Sequence, residues 1–555
     1  MREASERLEF IPLGGGAEVG KNMLVFRYGD DMIVVDCGVQ FPTEEHPGVD
    51  LILPDFQYLR DNAAHLRAII LTHAHEDHVG GLPYVLKEVD APVYGAPLTI
   101  GMVRAKLEEH KLADRVSLRV FRPGERLSFG AIEVEPVHVT HSIPDTVSLA
   151  IRTPVGLVVH TGDFKIDQTP SDGKLFDAGR FAQLGDEGVL LLISDTVNAE
   201  KTGWVPSERM VARALEQQIV AAPGRVLVTA FASNLHRVQE VFAIAERHGR
   251  RVAVAGRSMA RNIEVARELG YIQYPDPLRV KVEDIESLPP EQVVILTTGS
   301  QGEPLSALSR MACDNHKIHV EPGDTVILSS RPIPGNEDAV WRTVNRLIRL
   351  GARVVYDLIV PIHVSGHANQ EELKLLYNLT RPLYVVPFHG EPRMMAAYTD
   401  MLTSMGHPRD RVLWMENGDR LALDGTTAEL LEPIEASGDV LVDGISEGGV
   451  SEFVIRDRRH LASDGTVIVT VALDRATGEV LDGPELISRG FLHPEDSEEL
   501  FAEAQTQVRA ALEGMGQEEE ADWDNVRATV RDVVSRFLRK RTSRRPVVVP
   551  VVMNV

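Results

Sequence analysis

The sequence predicts an α/β protein made of a split first domain, an α/β domain inserted into it, and a small α+β domain at the C-terminus. Three observations lead there. Over about the first 200 residues, short β-rich runs end in a polar side chain, as buried strands do when they deliver a functional group. From about residue 209, amphipathic helical stretches alternate with apolar strands, the pattern of a parallel sheet covered by helices. After about residue 360 the strand-plus-histidine style returns, which an insertion into a split domain explains. The expected boundaries are 1–208 and 363–445 for the two parts of the first domain, 209–362 for the insertion and 446–555 for the last domain.

Taken in order, "DMIVVDCG" (31–38) and "RAIILTH" (67–73) read as buried strands, and "GLPYVLKEV" (81–89) as the start of a helix. "IEVEPVHVTHSIPD" (132–145) alternates like a strand and ends at His141, and "GLVVHTGDFK" (156–165) is a strand ending at Asp163. The helix "RMVARALEQQIV" precedes the strand "GRVLVTAF", and "VQEVFAIAERHG" precedes "RRVAVAG". "QVVILTTGS" and "DTVILSS" continue that sheet, and "LIVPIHVSGHA" and "PLYVVPFHG" bring histidines back. The C-terminal domain is expected to hold a hairpin around "TVIVTVALDRATGEVL", an acidic helix near 495–515, a solvated link "QEEEAD" and a helix with a basic end, "VRDVVSRFLRKR". "RPVVVPVVMNV" reads as a terminal strand, too short to cross a membrane and suited to a sheet edge or subunit contact.

At 555 residues the chain exceeds a single core, and its 43% hydrophobic and 25% charged content is that of a folded globular protein. Two cysteines, Cys37 and Cys313, allow neither a disulfide framework nor a thiolate zinc cluster, which points to a reducing cytoplasm. "MREASERLEF" has no apolar core for a signal peptide, and no apolar run reaches membrane-spanning length. The net charge of −24 argues against a polyanion binder held by overall charge. It leaves open an enzyme whose metal ions and local basic groove meet a phosphate.

The densest chemistry lies in "LTHAHEDHVGG" (71–81), which holds His73, His75, Asp77 and His78. A metal site needs several lone pairs aimed at one point from rigid backbone, and strand ends supply that rigidity. His73 and His75 can grip one ion while Asp77 and His78 grip a second beside it. Imidazole with carboxylate suits zinc or manganese.

"THAHEDH" resembles the HxHxDH signature of the metallo-β-lactamase fold, an αββα sandwich. "VVDCG", "VTHSIPD" and "HTGDFK" resemble its accompanying motifs in the expected order, and "SGHA" and "PFHGE" resemble those of its β-CASP nucleic-acid-processing branch. "GGGAEVGKN", "TAFASNLHR", "GSQGEP" and "SSRPIPGNE" are similar to bacterial ribonuclease J. The resemblance implies that His73, His75 and His141 hold one divalent ion, that Asp77, His78 and His389 hold another, and that Asp163 bridges them, with Asp36 orienting a ligand. It implies two zinc and/or manganese ions per subunit, a water made nucleophilic between them, and in-line attack of its hydroxide on a phosphodiester, leaving a 5′-phosphate. His367 is implied as a general acid or a phosphate donor, alongside Asp77 and Asp163 in catalysis. A 5′-monophosphate pocket is implied from Ser233 and Asn234 on one loop and His363, Ser365, Gly366, His367 and Ala368 on another. On residues alone, a Ser-Gly pair in a loop is usually just a turn.

"GGGAEVGKN" lacks the phosphate-loop spacing and reads as a turn between strands, and Glu303 in "GSQGEP" is either a turn residue or a contact to RNA. Arg247, Arg250, Arg251, Arg257 and Arg261 gather in the inserted domain, where some meet phosphates or all are solvated, and "RKRTSRR" is more simply a solvated helix end. Phe231 is a candidate for base stacking. The expected activity is a ribonuclease of RNA maturation and decay, working 5′-to-3′ on 5′-monophosphorylated single-stranded RNA and also cutting internally. A homodimer, and partners in an RNA-degradation complex, follow from the same resemblance. A small-molecule hydrolase is disfavoured by the insertion and the late histidines, and a noncatalytic scaffold by the full set of ligand-type residues.

Overall fold

The computed structural model describes residues 7–43, 45–303, 305–333, 336–444, 450–475, 477, 479–492, 494–515 and 523–555. The acidic link 517–522, the expected joint at 445–446 and the first six residues lie outside the described residues. Two compact units are present: Met1–Gln40 with Leu53–Asp439, and Phe41–Ile52 with Val440–Val555.

The first unit contains a β-sandwich. Its eight-stranded sheet runs, in spatial order, through Ala428–Leu431, Arg420–Leu423, Leu8–Gly14, Met23–Tyr28, Asp31–Val35, Leu66–Ile70, Val93–Gly95 and Leu118–Val120. Its six-stranded partner orders Tyr384–Phe388, Val189–Asp195, Gly156–His160, Val147–Thr153, Ile132–His138 and Leu127–Phe129. Phe10, Phe26, Val35 and Ile70 from one sheet meet Leu149, Val158, Ile193 and Val386 from the other in a buried core. Alternate residues of the six-stranded sheet, including Val159 and Leu192, pack outward on the helices Ala178–Glu187, Gln370–Thr380 and Pro392–Ser404. Segments after residue 380 pair directly with strands before residue 200, so the domain is a sandwich split around an α/β insertion, as the sequence predicts.

The insertion holds six parallel strands: β1 (Val226–Thr229), β2 (Arg251–Ala255), β3 (Arg279–Val280), β4 (Val293–Thr297), β5 (Thr325–Leu328) and β6 (Arg353–Tyr356). Their order is β3-β2-β4-β1-β5-β6. Helices Glu208–Ala221, Leu235–Arg247 and Arg257–Glu268 cover one face, and Ala307–Ala312 and Glu337–Arg349 the other. Because all six strands run the same way, the loops at their carboxyl ends line one edge.

The second unit places Thr466–Leu473 between Val480–Arg489, antiparallel, and Val547–Asn554, parallel. Helices Pro494–Glu513 and Trp523–Thr542 pack on one face of this sheet through Phe501, Val508, Val530 and Val534. The terminal strand is an edge, and its other face exposes Val549, Val551 and Met553.

Carboxyl ends of parallel strands converge in the sandwich as well. Asp31–Val35 and Leu66–Ile70 run parallel into Asp36 and the 71–81 loop, while Gly156–His160, Val189–Asp195 and Tyr384–Phe388 run parallel toward Asp163, Asp195 and His389. Two strands are shorter than their sequence patterns. Ile132–His138 ends before His141, which follows the Thr140–Lys165 bridge on an open turn. Gly156–His160 ends before Asp163 as well.

Gly38 sets how closely two of these loops approach. Its amide donates to Asn22 O at 2.9 Å, Cys37 N donates to His78 O at 2.7 Å, and a Cβ on Gly38 would lie 1.7 Å from the carbonyl oxygen of Asp77. Backbone cannot yield as a side-chain tip does. Gly38→Ala should therefore cost about 2–3 kcal/mol and lower the thermal unfolding midpoint, whereas Cys37→Ala should cost less; an unchanged midpoint for Gly38→Ala would refute the close-approach argument.

Candidate metal centre

The helical turn Glu76–Val79 follows directly on His73 and His75, so four donor residues leave one loop in different directions. His73 Nε2 lies 3.0 Å from His75 Nδ1, which is 3.2 Å from His141 Nε2. Asp163 Oδ2 sits 3.6 Å from His73 Nε2, 3.3 Å from His78 Nε2 and 3.7 Å from His141 Nε2, and its Oδ1 is 3.8 Å from His389 Nε2. Asp77 Oδ2 lies 3.6 Å from His78 Nε2 and 3.7 Å from His389 Nε2. Two sets result, His73, His75, His141 and Asp163, and Asp77, His78, Asp163 and His389, each with donor atoms within 4.8 Å of one another. Asp163 belongs to both.

The second nitrogen of each ring decides what the first can do. His78 Nδ1 donates to Asp36 Oδ2 at 2.8 Å, and the same carboxylate accepts from Thr72 N and Thr72 Oγ1, both at 2.8 Å. His141 Nδ1 donates to Gly366 O at 2.7 Å, and His389 Nδ1 donates to Asn22 Oδ1 at 2.8 Å. His73 Nδ1 meets Thr72 Oγ1 at 3.0 Å. With Nδ1 turned to these partners, the other ring nitrogens converge on a carboxylate. For the side chains alone, burial pulls His73 and His141 well below the usual histidine range and His75 to about 4, so these rings are neutral. Against its burial, Asp163, Asp77 and Asp36 raise His78 well above that range, so without a cation His78 holds the proton that balances the carboxylates. Imidazoles and carboxylates converging in this way are the donor set of a divalent cation, which would take the place of that proton, and the residues fit one. Asp36 and His389 also hold left-handed backbone, φ 61° and 49°, a strain that clusters at functional sites.

His367 lies beside this cluster. Its Nδ1 bonds Asp195 Oδ2 at 2.8 Å and stands 3.9 Å from Asp163 Oδ2. Burial opposes its charge, yet Asp195 and Asp163 raise its pKa to about 9. Asp195 is held by Thr161 Oγ1, which accepts from its amide at 2.9 Å.

The loop after β6 carries the other residues expected at a 5′-phosphate pocket. Ser365 Oγ accepts from Asn198 Nδ2 at 2.8 Å, and Lys201 Nζ donates to Asn198 Oδ1 at 2.6 Å. A Cβ on Gly366 would lie 2.5 Å from His141 Cε1, so only glycine lets this backbone reach the ring. His363 Nδ1 is buried with no hydrogen-bond partner among the described residues, and burial with the nearby Arg237 charge pulls its pKa to about 3. Buried Arg237 donates to Ile362 O at 3.0 Å and Glu208 Oε2 at 2.7 Å, bracing the segment before His363.

Other expected contacts fall differently. Ser233 is half-buried on the loop after β1, and Asn234 spends its side chain capping helix Leu235–Arg247 by accepting from Arg237 N at 3.1 Å. The Ala368 side chain packs in the apolar core, leaving only its backbone for a ligand. Glu303 Oε2 accepts from Gln301 N at 3.2 Å, a turn contact. Arg247 pairs with Glu216, Arg250 donates to the carbonyls of Ala222 and Gly224, Arg251 to that of Pro277, and Arg261 pairs with Glu109. Of the five arginines only Arg257 has an open side chain among the described residues.

Sequence reasoning missed Asn22, Thr72, Asp195 and Asn198. Asp195 ends the apolar run "VLLLISD", the same signature that drew attention to Asp36 and Asp163.

Known proteins align with this arrangement along the whole chain. Models for the metallo-beta-lactamase superfamily match residues 16–222, for the ribonuclease J beta-CASP domain 223–347, for the Zn-dependent metallo-hydrolase RNA specificity domain 351–411 and for the ribonuclease J C-terminal domain 453–555. Ribonuclease J of Thermus thermophilus is 45% identical over 99% of this chain and 96% of its own length. The chain belongs to the ribonuclease J family. Ribonuclease J2 of Bacillus subtilis is 38% identical over 100% of both chains, and ribonuclease J of Synechocystis is 41% identical over 98% of this chain and 86% of its own. A crystal structure of a protein of unknown function from Enterococcus faecalis V583, with 17% identity and a TM-score of 0.53, covers 75% of this chain and 100% of its own and shows the fold alone. Membership in this family, with the His and Asp clusters, makes the chain a divalent-metal-dependent hydrolytic ribonuclease.

Asp36→Asn and Asn22→Ala should each weaken divalent-metal binding about 10- to 100-fold, read by competition with a coloured chelator. Wild-type affinity in Asp36→Asn would show that its bond to His78 does not orient a ligand.

Proposed function

We propose that this chain shortens 5′-monophosphorylated single-stranded RNA from its 5′ end and also cuts internally. The reading is carried by one observation: two donor sets that share Asp163 lie against the loop bearing His363, Ser365 and Gly366. His73, His75 and His141 would hold one zinc or manganese ion, Asp77, His78 and His389 the other, and Asp163 both. Such ions, when bound, supply a nucleophilic hydroxide near neutral pH and offset the charge that builds on phosphorus.

The side chains account for the rest. Asp36, Asn22 and Gly366 fix the rings of His78, His389 and His141, so the donors keep their geometry as charge changes. His367, with Nδ1 on Asp195, keeps Nε2–H for the substrate, where it donates to the leaving 3′ oxygen or to the phosphate. Asp195 acts through His367 and is a positioning residue. The 5′-phosphate would find a partner in the orphaned His363 Nδ1, beside Arg237 and Arg331, which are themselves paired with Glu208 and Asp357. The strand Val547–Asn554, exposing Val549, Val551 and Met553, supports a homodimer. Among the described residues no helix is long and apolar enough to cross a membrane.

With added manganese, a 3′-labelled RNA bearing a 5′-monophosphate should be shortened at least about tenfold faster than the 5′-triphosphate form, since a charge-assisted hydrogen bond contributes about 1.5–3 kcal/mol. His78→Ala should abolish both reactions. Equal rates on monophosphate, triphosphate and circular RNA would remove the 5′ pocket and leave an endonuclease. His363→Ala and Ser365→Ala should raise KM on the monophosphate substrate while cutting of circular RNA stays unchanged; parallel losses on both would count against a pocket role.

A further inference from the structure

The carboxyl edge of the inserted sheet continues well beyond the loops at the candidate centre. In spatial order it presents the loop after β6 with His367, the loop after β5 with Arg331, the loop after β1 with Ser233, and then the ends of β4, β2 and β3. At those last three ends lies a crevice of about 1400 Å³. Its position follows from topology. The connection leaving β2 passes over one face of the sheet through helix Arg257–Glu268, and that leaving β4 over the other through Ala307–Ala312. Adjacent strands whose connections part in this way leave an open crevice, where ligands of parallel sheets bind.

The crevice is positive in a chain whose net charge is −24. Three of its carboxylates already have cationic partners: Glu109 with Arg261, Asp276 with Arg267, and Glu283 with Lys317 at 2.9 Å. Arg257 and Lys281, both exposed, have no side-chain partner among the described residues, and Arg310 makes only a 3.0 Å bond from Nε to Asn315 O. Arg279 pairs with Glu264 at 3.4 Å, and the side chain of the fourth carboxylate, Glu303, accepts only from Gln301 N among the described residues, so unpaired cations outnumber unpaired carboxylates by three to one around the cleft. Its volume exceeds the few hundred to about 1000 Å³ of small-molecule pockets, and it is open at the surface, as a polymer track must be. The floor between it and the candidate centre is braced, because Gln301 Nε2 donates to Arg331 O at 2.9 Å and Gln301 Oε1 accepts from Ile333 N at 2.7 Å.

We infer that Arg257, Lys281 and Arg310 form a second, sequence-independent site for the phosphate backbone of single-stranded RNA, engaging nucleotides downstream of the one being removed. This rests on the proposed ribonuclease reading and adds to it a length requirement. Neighbouring strands are about 4.8 Å apart, so the crevice lies about 15–20 Å along the edge from the loop that carries His367. A dinucleotide at the centre cannot reach it.

The test is the full-length triple variant Arg257→Glu, Lys281→Glu, Arg310→Glu, with Arg257→Lys, Arg310→Lys as the charge-conserving partner. Fluorescence anisotropy with a labelled single-stranded RNA of about 20 nucleotides should show affinity at least about tenfold weaker in the triple variant. The slope of log affinity against log salt should fall by about two, three contacts at about 0.7 each. The charge-conserving variant should bind within about twofold of wild type. Cleavage of a 5′-monophosphorylated dinucleotide should be the same in all three proteins, while the advantage of the long substrate disappears only in the triple variant. Unchanged affinity and salt slope, or a long- and short-substrate loss in step, would overturn the crevice as a backbone site. A wild type that cleaves neither RNA would instead fail the functional reading, with the salt slope still deciding the crevice.

Discussion

Everything at the candidate centre depends on one electrostatic fact: imidazoles and carboxylates from distant strand ends are packed against the shared carboxylate of Asp163. Such a cluster repels itself unless a proton or a cation joins it, so the fold must hold each donor against that repulsion. It does so from behind. Asp36 holds His78, Asn22 holds His389, and the carbonyl of Gly366 holds His141, each through the nitrogen turned away from the cluster. Helices and sheet cores then serve to keep these second partners in place.

The same demand shapes the insertion. Arg237, almost wholly buried, bonds Glu208 at the start of one helix and Ile362 just before the His363 loop. Lys165, two residues past Asp163, stands 3.5 Å from the same Glu208. The strand end that supplies the shared carboxylate and the loop of the proposed pocket are therefore tied through a buried charge network. Removing one member would strand its partner's charge out of water, which costs far more than an exposed pair contributes.

Much of this was legible in the sequence because strand ends announce themselves. An apolar run closed by Asp or His marks Asp36, Asp163 and His389, and the "HAHEDH" cluster is too dense for a surface accident. The split domain was legible because strand style changes and then returns. What stayed hidden are residues whose role exists only across the fold. Asn22 sits in a glycine-rich turn 367 positions from the histidine it holds, and Asn198 reaches Ser365 across 167. Asn234, which looks like a pocket residue in "FASN", spends its side chain on a helix cap. The arginine-rich run misleads for the same reason, since the chain alone does not say which guanidinium finds a carbonyl.

The hydrogen bond from His141 to the carbonyl of Gly366 joins two things that chemistry usually keeps apart. One end is a candidate metal donor, and the other is backbone in the loop proposed to hold the RNA terminus. A loop drawn tight by a phosphate in the proposed pocket would press its carbonyl on the ring, and a ring drawn to an ion would pull on the loop. Linkage makes the two effects equal: whatever affinity a filled pocket lends the ion, the ion returns to the RNA end. With the proposed pocket and centre both filled, a single glycine would be the wire between them.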